Sequence, residues 1–357
     1  MNRELFRADR LPVLQNRTFA SVAEAKASAT GNVALVQSEQ TGLVFNAEFD
    51  PALLCYDGEY QNEQACSGVF REHLADVAAI VGRHFKGRRL IEVGCGKGYF
   101  LEYLAALGYQ VTGIDPAYEG DNPRVIKAPF ERGLGLSADA IVLRHVLEHV
   151  PDPLAFLAEI ADANGGRGSI LIEVPCLDWI LAHRAWFDVF YEHVNYFRLA
   201  DFERMFGRIH ERGHVFGGQY LYLVADLTSL RSPRADTRDR VAMPADFRSG
   251  VDRAISVIAD SGGKRNAVWG AASKGVIFCV YLQRAGIAID EVIDINPAKQ
   301  GRFLACSGLR VRAPEEAAGR LNSLDNLFVM NSNYRDEIIA RSRNLYTYHT
   351  VDHDQLR

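Results

Sequence analysis

At 357 residues the chain is too long for one ordinary core, and a prior of about 150 residues per domain suggests two or three domains. Its 48% apolar and 24% charged residues are globular values that exclude a mainly disordered chain. A net charge of −5 with no Lys/Arg run gives no reason to expect a nucleic-acid partner, and no stretch reaches the roughly 18 apolar residues of a membrane span.

The N-terminus is charged (Arg3, Glu4, Arg7, Asp9, Arg10) and lacks the apolar centre of a signal peptide, so a cytoplasmic protein is expected. Residues 1 to about 65 are poorly periodic, with strand-like pieces at 33–37 and 42–46. From Ser67 to Phe85 the apolar positions follow a helical period. An alternating block follows, with strands at 89–93, 109–115, 138–143 and 168–174 and helices at 99–107 and 153–163. Such alternation needs crossover connections, and so predicts an α/β fold with a mostly parallel sheet covered on both faces. Residues 228–245 are polar and turn-rich, as a linker or crossing loop would be, and precede a helix near 247–259. A second alternating block has strands at 266–269, 291–294 and 326–330 and a helix ending near Ala285. The expected division is an N-terminal lobe (1–66), a cofactor domain (67–227), and a linker with a C-terminal Rossmann-like domain (228–357).

Six cysteines (Cys55, Cys66, Cys95, Cys176, Cys279, Cys306) are scattered without a CxxC pair and read as reduced thiols. No Cys/His group has zinc-ligand spacing, and no metal is expected.

Glu92-Val-Gly94-Cys-Gly96-Lys-Gly98 carries the most information. Glycines at alternate positions after a buried strand let the backbone approach a ligand and open a helix whose amides face it. The dinucleotide fingerprint GxGxxG fails here, because Tyr99 stands three residues after Gly96. A cofactor without phosphate fits better. Asp115 ends the next strand, where a carboxylate can accept two ribose hydroxyls. Arg144-His145-Val-Leu-Glu148-His149-Val-Pro-Asp-Pro153 lies past the fourth strand, at the carboxyl edge where ligands sit in such sheets. In this order the three motifs resemble the class I S-adenosylmethionine (SAM) methyltransferases. The resemblance implies SAM as cofactor, contacted by Glu92, Gly94, Gly96, Gly98 and Asp115, with Phe130 near the adenine and Arg144 and His145 at the sheet edge.

A second constellation, Phe187-Asp-Val-Phe-Tyr191-Glu192-His193-Val-Asn-Tyr196-Phe197, is crowded with polar and aromatic groups. Neutral imidazole, with a pKa near 6.5, suits proton abstraction, and a neighbouring carboxylate or phenol can orient it. The segment resembles the His-Glu-His-x-x-Tyr-Phe motif of sugar C-methyltransferases, with Tyr191 where that family has its first His. This implies catalytic roles for His193, Glu192 and Tyr191, and places Tyr196 near the substrate. The segments Trp269–Gly275, Val292–Gly301, Ala313–Glu316 and Met330–Tyr334 resemble the same family's C-terminal domain, where Ser273, Lys274, Asn296 and Tyr334 would meet the substrate. The family's N-terminal CxxC zinc pairs are replaced here by Leu11-Pro-Val-Leu14 and Ser38-Glu-Gln-Thr41. Tyr56, Tyr60 and Ser67 are candidates to close over the cofactor.

The reading is a SAM-dependent methyltransferase acting on a small molecule, with neither nucleic acid nor membrane as partner. The favoured acceptor is a carbon beside a ketone of a nucleotide-linked deoxysugar. O- or N-methylation of another small metabolite and a non-catalytic SAM-binding protein are the alternatives.

Overall fold

The structure is a computed structural model that describes residues 2–54 and 59–352. Tyr56 and Cys55 lie outside the described residues.

The central sheet has seven strands in the order Ile209–Val215, Tyr220–Asp226, Ser169–Pro175, Ala140–Arg144, Arg89–Val93, Gln110–Ile114, Val125–Ile126. The last five run parallel, and the hairpin 209–226 joins antiparallel at one edge. Buried apolar runs on the inner strands explain the parallel arrangement: Ile170, Leu171, Ile172, Val142 and Leu143 are all fully buried, as a sheet covered on both faces requires. Helix Gly68–Phe85 covers one face with Phe70, Leu74, Val77, Val81 and Phe85. It begins at Ser67, whose hydroxyl accepts the Phe70 amide at 3.3 Å. On helix Pro153–Ala163, Asp152 caps by accepting from Ala155 at 2.9 Å, and Pro153 fills the first turn, where no amide is needed.

A second, five-stranded parallel sheet is ordered Val311–Arg312, Glu291–Ile293, Asn266–Trp269, Asn326–Val329, Thr347–Thr350. Helix Ser273–Arg284 follows its middle strand and buries Val276, Ile277, Phe278 and Leu282. Near the N-terminus a four-stranded antiparallel sheet runs Asn2–Pro12, Thr30–Ser38, Val44–Asn46, Asn195–Tyr196. Its last strand comes from the segment that holds His193, so the N-terminal lobe and that segment are one sheet. A short pair, Thr18–Phe19 with Phe303–Leu304, ties the lobe to the C-terminal unit.

One apolar core crosses the boundaries expected near residues 66 and 227. It includes Leu11 and Leu35 from the lobe, Ile172 and Phe187 from the centre, and Phe278 and Phe328 from the C-terminal unit. The crossing loop 228–245 is fastened at several points. Asp239 accepts from Arg198 at 2.7 and 3.0 Å and from Arg204, and the Val241 amide donates to Gln37 at 3.0 Å. Leu11, Val13 and Leu14 pack in the core, while the Ser38 hydroxyl accepts from the Gln40 and Thr41 amides at 3.2 and 3.1 Å. Segments 11–14 and 38–41 therefore serve as apolar packing and turn closure. No helix among the described residues is long and apolar enough to cross a membrane.

Candidate active site

The carboxyl edges of both parallel sheets open on one cavity of about 520 Å³, within the usual range for a small-molecule site. Glu92, Gly94, Gly96, Asp115, Arg144 and His145 line it from the central sheet, and Ser273, Lys274, Asn296 and Tyr334 from the C-terminal unit. Glu192 and His193 line it from the segment between them, with Tyr60 and Ser67 at the N-terminal side.

The glycine turn is built for close approach. Gly94 and Gly96 have φ of +73° and +56°. A Cβ on Gly94 would stand 2.3 Å from Val146 Cγ2, whereas one on Gly96 would meet nothing within 4 Å, because that backbone is bare. Asp115 clamps the turn by accepting from Gly96 N and Ala117 N, each at 2.8 Å. Glu92 is 2% exposed with one carboxylate oxygen unpartnered, and burial pushes its pKa up to about 8, against the pull of Arg144. Gly98 caps helix Tyr99–Ala106 with φ +83°, beside Tyr118 and behind the cavity wall.

Behind Arg144 and His145 stands Glu173, fully buried in strand Ser169–Pro175. It accepts from Arg144 Nε and from His73 Nε2, each at 2.7 Å. Burial would raise its pKa, but Arg144, His145 and His73 outweigh that and hold the carboxyl well below its usual range. His145 sits at φ +52°, unusual for a residue with a side chain, with ring nitrogens 3.4 Å from Glu148 and 3.3 Å from Glu173. Burial opposes charge on this imidazole, but the two carboxylates prevail and push its pKa up to about 9. The Arg144 guanidinium stacks 4.5 Å from the Phe100 ring centroid. Glu173 and His73 were not expected from sequence. Their only signal was polarity: a Glu inside the apolar strand Ile-Leu-Ile-Glu-Val, and a His on the apolar face of helix Gly68–Phe85.

The second constellation divides between the cavity and the interior. Burial, with His149 and His145 nearby, keeps the His193 pKa well below its usual value, so this imidazole is neutral. Glu192 is 1% exposed and accepts from Tyr60 Oη at 2.7 Å and from the Gln15 amide at 3.3 Å. Asn16 extends the chain of contacts, donating to Tyr60 Oη at 3.3 Å and to Ser273 Oγ at 3.1 Å. Glu148, His149 and His193 also gather closely, with ligand-type atoms all within 4.8 Å of one another.

Besides Gly98, three expected site residues do not reach the cavity. Tyr191 is fully buried on the opposite side of its segment. Its hydroxyl accepts from Asp50 N at 2.8 Å, and its ring lies over Gly31, where a Cβ would come within 2.1 Å. Tyr196 points back at its own loop, accepting from Phe190 N and donating to Phe190 O, both at 3.0 Å. Phe130 packs edge-on against Phe156, with ring centroids 6.2 Å apart. Lys274 reaches the cavity but is already engaged, 3.0 Å from the Asp188 carboxylate and 4.9 Å from the Trp179 ring centroid.

The chain is similar to known methyltransferases. Residues 63–209 match the family described as Methyltransferase domain, and residues 247–350 match that described as C-methyltransferase C-terminal domain. The C-methyltransferase NovU of Streptomyces niveus is 25% identical over 334 residues, covering 80% of this chain and 77% of that protein. A ubiquinone biosynthesis O-methyltransferase of Dinoroseobacter shibae is 36% identical over 102 residues, covering 24% of this chain and 41% of that relative. Among solved structures, the 1,6-didemethyltoxoflavin-N1-methyltransferase of Burkholderia thailandensis, with S-adenosylhomocysteine bound, is 19% identical, covering 44% of this chain and 80% of that one, with a TM-score of 0.35. The chain is a class I SAM-dependent methyltransferase whose residues 247–350 match a C-methyltransferase C-terminal domain.

Proposed function

We propose that the protein methylates a carbon beside the ketone of a nucleotide-linked deoxysugar. The observation that carries this reading is the neutral His193 imidazole on the wall of a cavity shared by the glycine turn and the C-terminal unit. The match of residues 247–350 to a C-methyltransferase C-terminal domain supports the choice of carbon as acceptor.

The residues at the glycine turn fit SAM. The bare Gly96 backbone admits close approach, the Asp115 carboxylate retains lone pairs for the ribose diol, and the unpartnered oxygen of Glu92 suits the amino-acid end. When bound, SAM supplies a methyl group on a positively charged sulfur, which a carbanion takes in line to leave S-adenosylhomocysteine. The remaining chemistry belongs to this chain. His193 takes the proton alpha to the ketone, and the C–H electron pair passes into an enolate. Glu192 accepts the Tyr60 hydroxyl proton beside the same space, and Tyr60 would have to turn from that bond to donate to the developing oxyanion. Ser273, Lys274, Asn296 and Tyr334 line the far side, where the nucleotide would lie; for Lys274 this requires sharing with Asp188. Much of the acceleration comes from positioning.

Incubating keto-deoxysugar nucleotides with enzyme and S-adenosylhomocysteine in deuterated water tests the reading. The alpha proton should exchange, and His193→Ala should slow exchange about a hundredfold or more. Methyl transfer to an oxygen or nitrogen, with no exchange at carbon, would replace C-methylation with the other acceptor chemistry.

A further inference from the structure

Glu173 is fully buried between Ile172 and Val174 of an inner strand, and its carboxyl stays ionised. A buried ion pair is weak support for a fold, because desolvation offsets most of the attraction, so the use of this one lies in what it holds. The two oxygens are divided between elements: one accepts from Arg144 Nε and the other from His73 Nε2, each at 2.7 Å. His73 braces the carboxylate from helix Gly68–Phe85, its ring packed among Phe70, Phe216 and Tyr220 at centroid distances of 5.3, 4.9 and 5.5 Å.

Arg144 is thereby fixed on two sides. Its Nε is spent on Glu173, and its guanidinium lies 4.5 Å from the Phe100 ring centroid. Its Nη2 has no hydrogen-bond partner among the described residues, although the side chain lines the cavity. The terminal edge of a guanidinium is a bidentate partner for a carboxylate. On the neighbouring strand Glu92 carries an unpartnered oxygen, and Arg144 is near enough for its charge to act on that carboxyl. An unspent acceptor beside an unspent cationic donor matches the ammonium and carboxylate of an amino acid.

We propose that Glu173, braced by His73, is a positioning residue that aims the Arg144 guanidinium at the carboxylate of the methyl donor. The proposal rests on SAM as cofactor and is independent of the acceptor proposed above. Without Glu173 the guanidinium keeps its charge but loses the bond that sets its direction, so only ligands with an amino-acid end should feel the change.

The test compares, by calorimetry on the full chain, S-adenosylhomocysteine with 5′-methylthioadenosine, which keeps the nucleoside and thioether but lacks the amino-acid end. Glu173→Gln removes the charge and keeps the shape. It should weaken S-adenosylhomocysteine by at least about tenfold, and Arg144→Ala by at least as much. Methylthioadenosine should stay within about twofold in both. The double variant should bind S-adenosylhomocysteine no more weakly than Arg144→Ala alone, because Glu173 acts through Arg144. Equal losses for the two ligands, unchanged S-adenosylhomocysteine affinity in Glu173→Gln, or additive losses in the double variant would overturn the proposal. Should Glu173→Gln fail to fold, guanidinium nitrogen resonances of the unaltered chain decide it. The Arg144 terminal nitrogens shift with S-adenosylhomocysteine and not with methylthioadenosine, or the proposal fails.

Discussion

Asp115 and Asp294 end equivalent strands in the two α/β units and clamp equivalent turns. Asp115 accepts from Gly96 N and Ala117 N at 2.8 Å; Asp294 accepts from Ala271 N at 2.9 Å and Asn296 N at 2.8 Å. A glycine in the first turn and one in the helix that follows the second do opposite jobs. At Gly96 an added Cβ meets nothing, so the backbone is open to a ligand. At Gly275 it would stand 1.8 Å from the Gly270 carbonyl oxygen, so glycine there permits close packing of helix against strand. One clamped turn thus leaves its backbone bare, and the other is followed by close packing. Around the second turn the cavity-lining side chains are already engaged, Ser273 by Asn16 and Lys274 by Asp188.

Paired substitutions would break this contrast. Gly275→Ala should destabilise the protein by about 3 kcal/mol in urea unfolding, because backbone must move to admit the methyl. Gly96→Ala should cost about 1 kcal/mol, the left-handed strain alone; equal costs would erase the distinction. In cofactor affinity the order reverses between units. Asp115→Ala should weaken SAM binding by about 2 kcal/mol, roughly thirtyfold by calorimetry, while Asp294→Ala leaves it unchanged.

A smaller effect sharpens the first turn's role. Glu92 titrates near 8 in the folded protein, so its contribution to the stability of the cofactor-free chain is present in acid and is lost as pH rises through about 8. A cationic cofactor favours the ionised carboxyl, so SAM binding at pH 7 should release nearly one proton. Affinity should then climb with pH until it levels near 8. Calorimetry in buffers of different ionisation enthalpy measures that proton, and Glu92→Gln should abolish it.

The central sheet was legible because its strands are short apolar runs closed by turn residues, as in Arg89–Val93 and Ser169–Pro175. Strand Asn2–Pro12 was not, since register shifts after Glu4 and Ala8 break its alternation and exposed Arg7, Asp9 and Arg10 mask it. Hairpin strand Ile209–Val215 was hidden by His210, Glu211, Arg212 and His214, charges tolerated on an edge strand. In the site, the glycine turn and Asp115 were readable because the contacts that join them are local. Tyr191 was misplaced because the chain bends at Tyr191 and Glu192, which turns Tyr191 toward the lobe while Glu192 and His193 line the cavity. The Glu173 network and the Gln15, Tyr60 and Asn16 contacts join residues far apart in the chain, which no short motif records.

The strand that follows His193 completes a sheet begun by the N-terminal lobe, with Asn195 opposite Phe45 and Tyr196 opposite Val44. On the reading proposed above, acceptor chemistry and donor chemistry would thereby be anchored in different parts of the chain. Exchanging the first strands between relatives offers a way to retune what is methylated without disturbing the grip on the methyl donor.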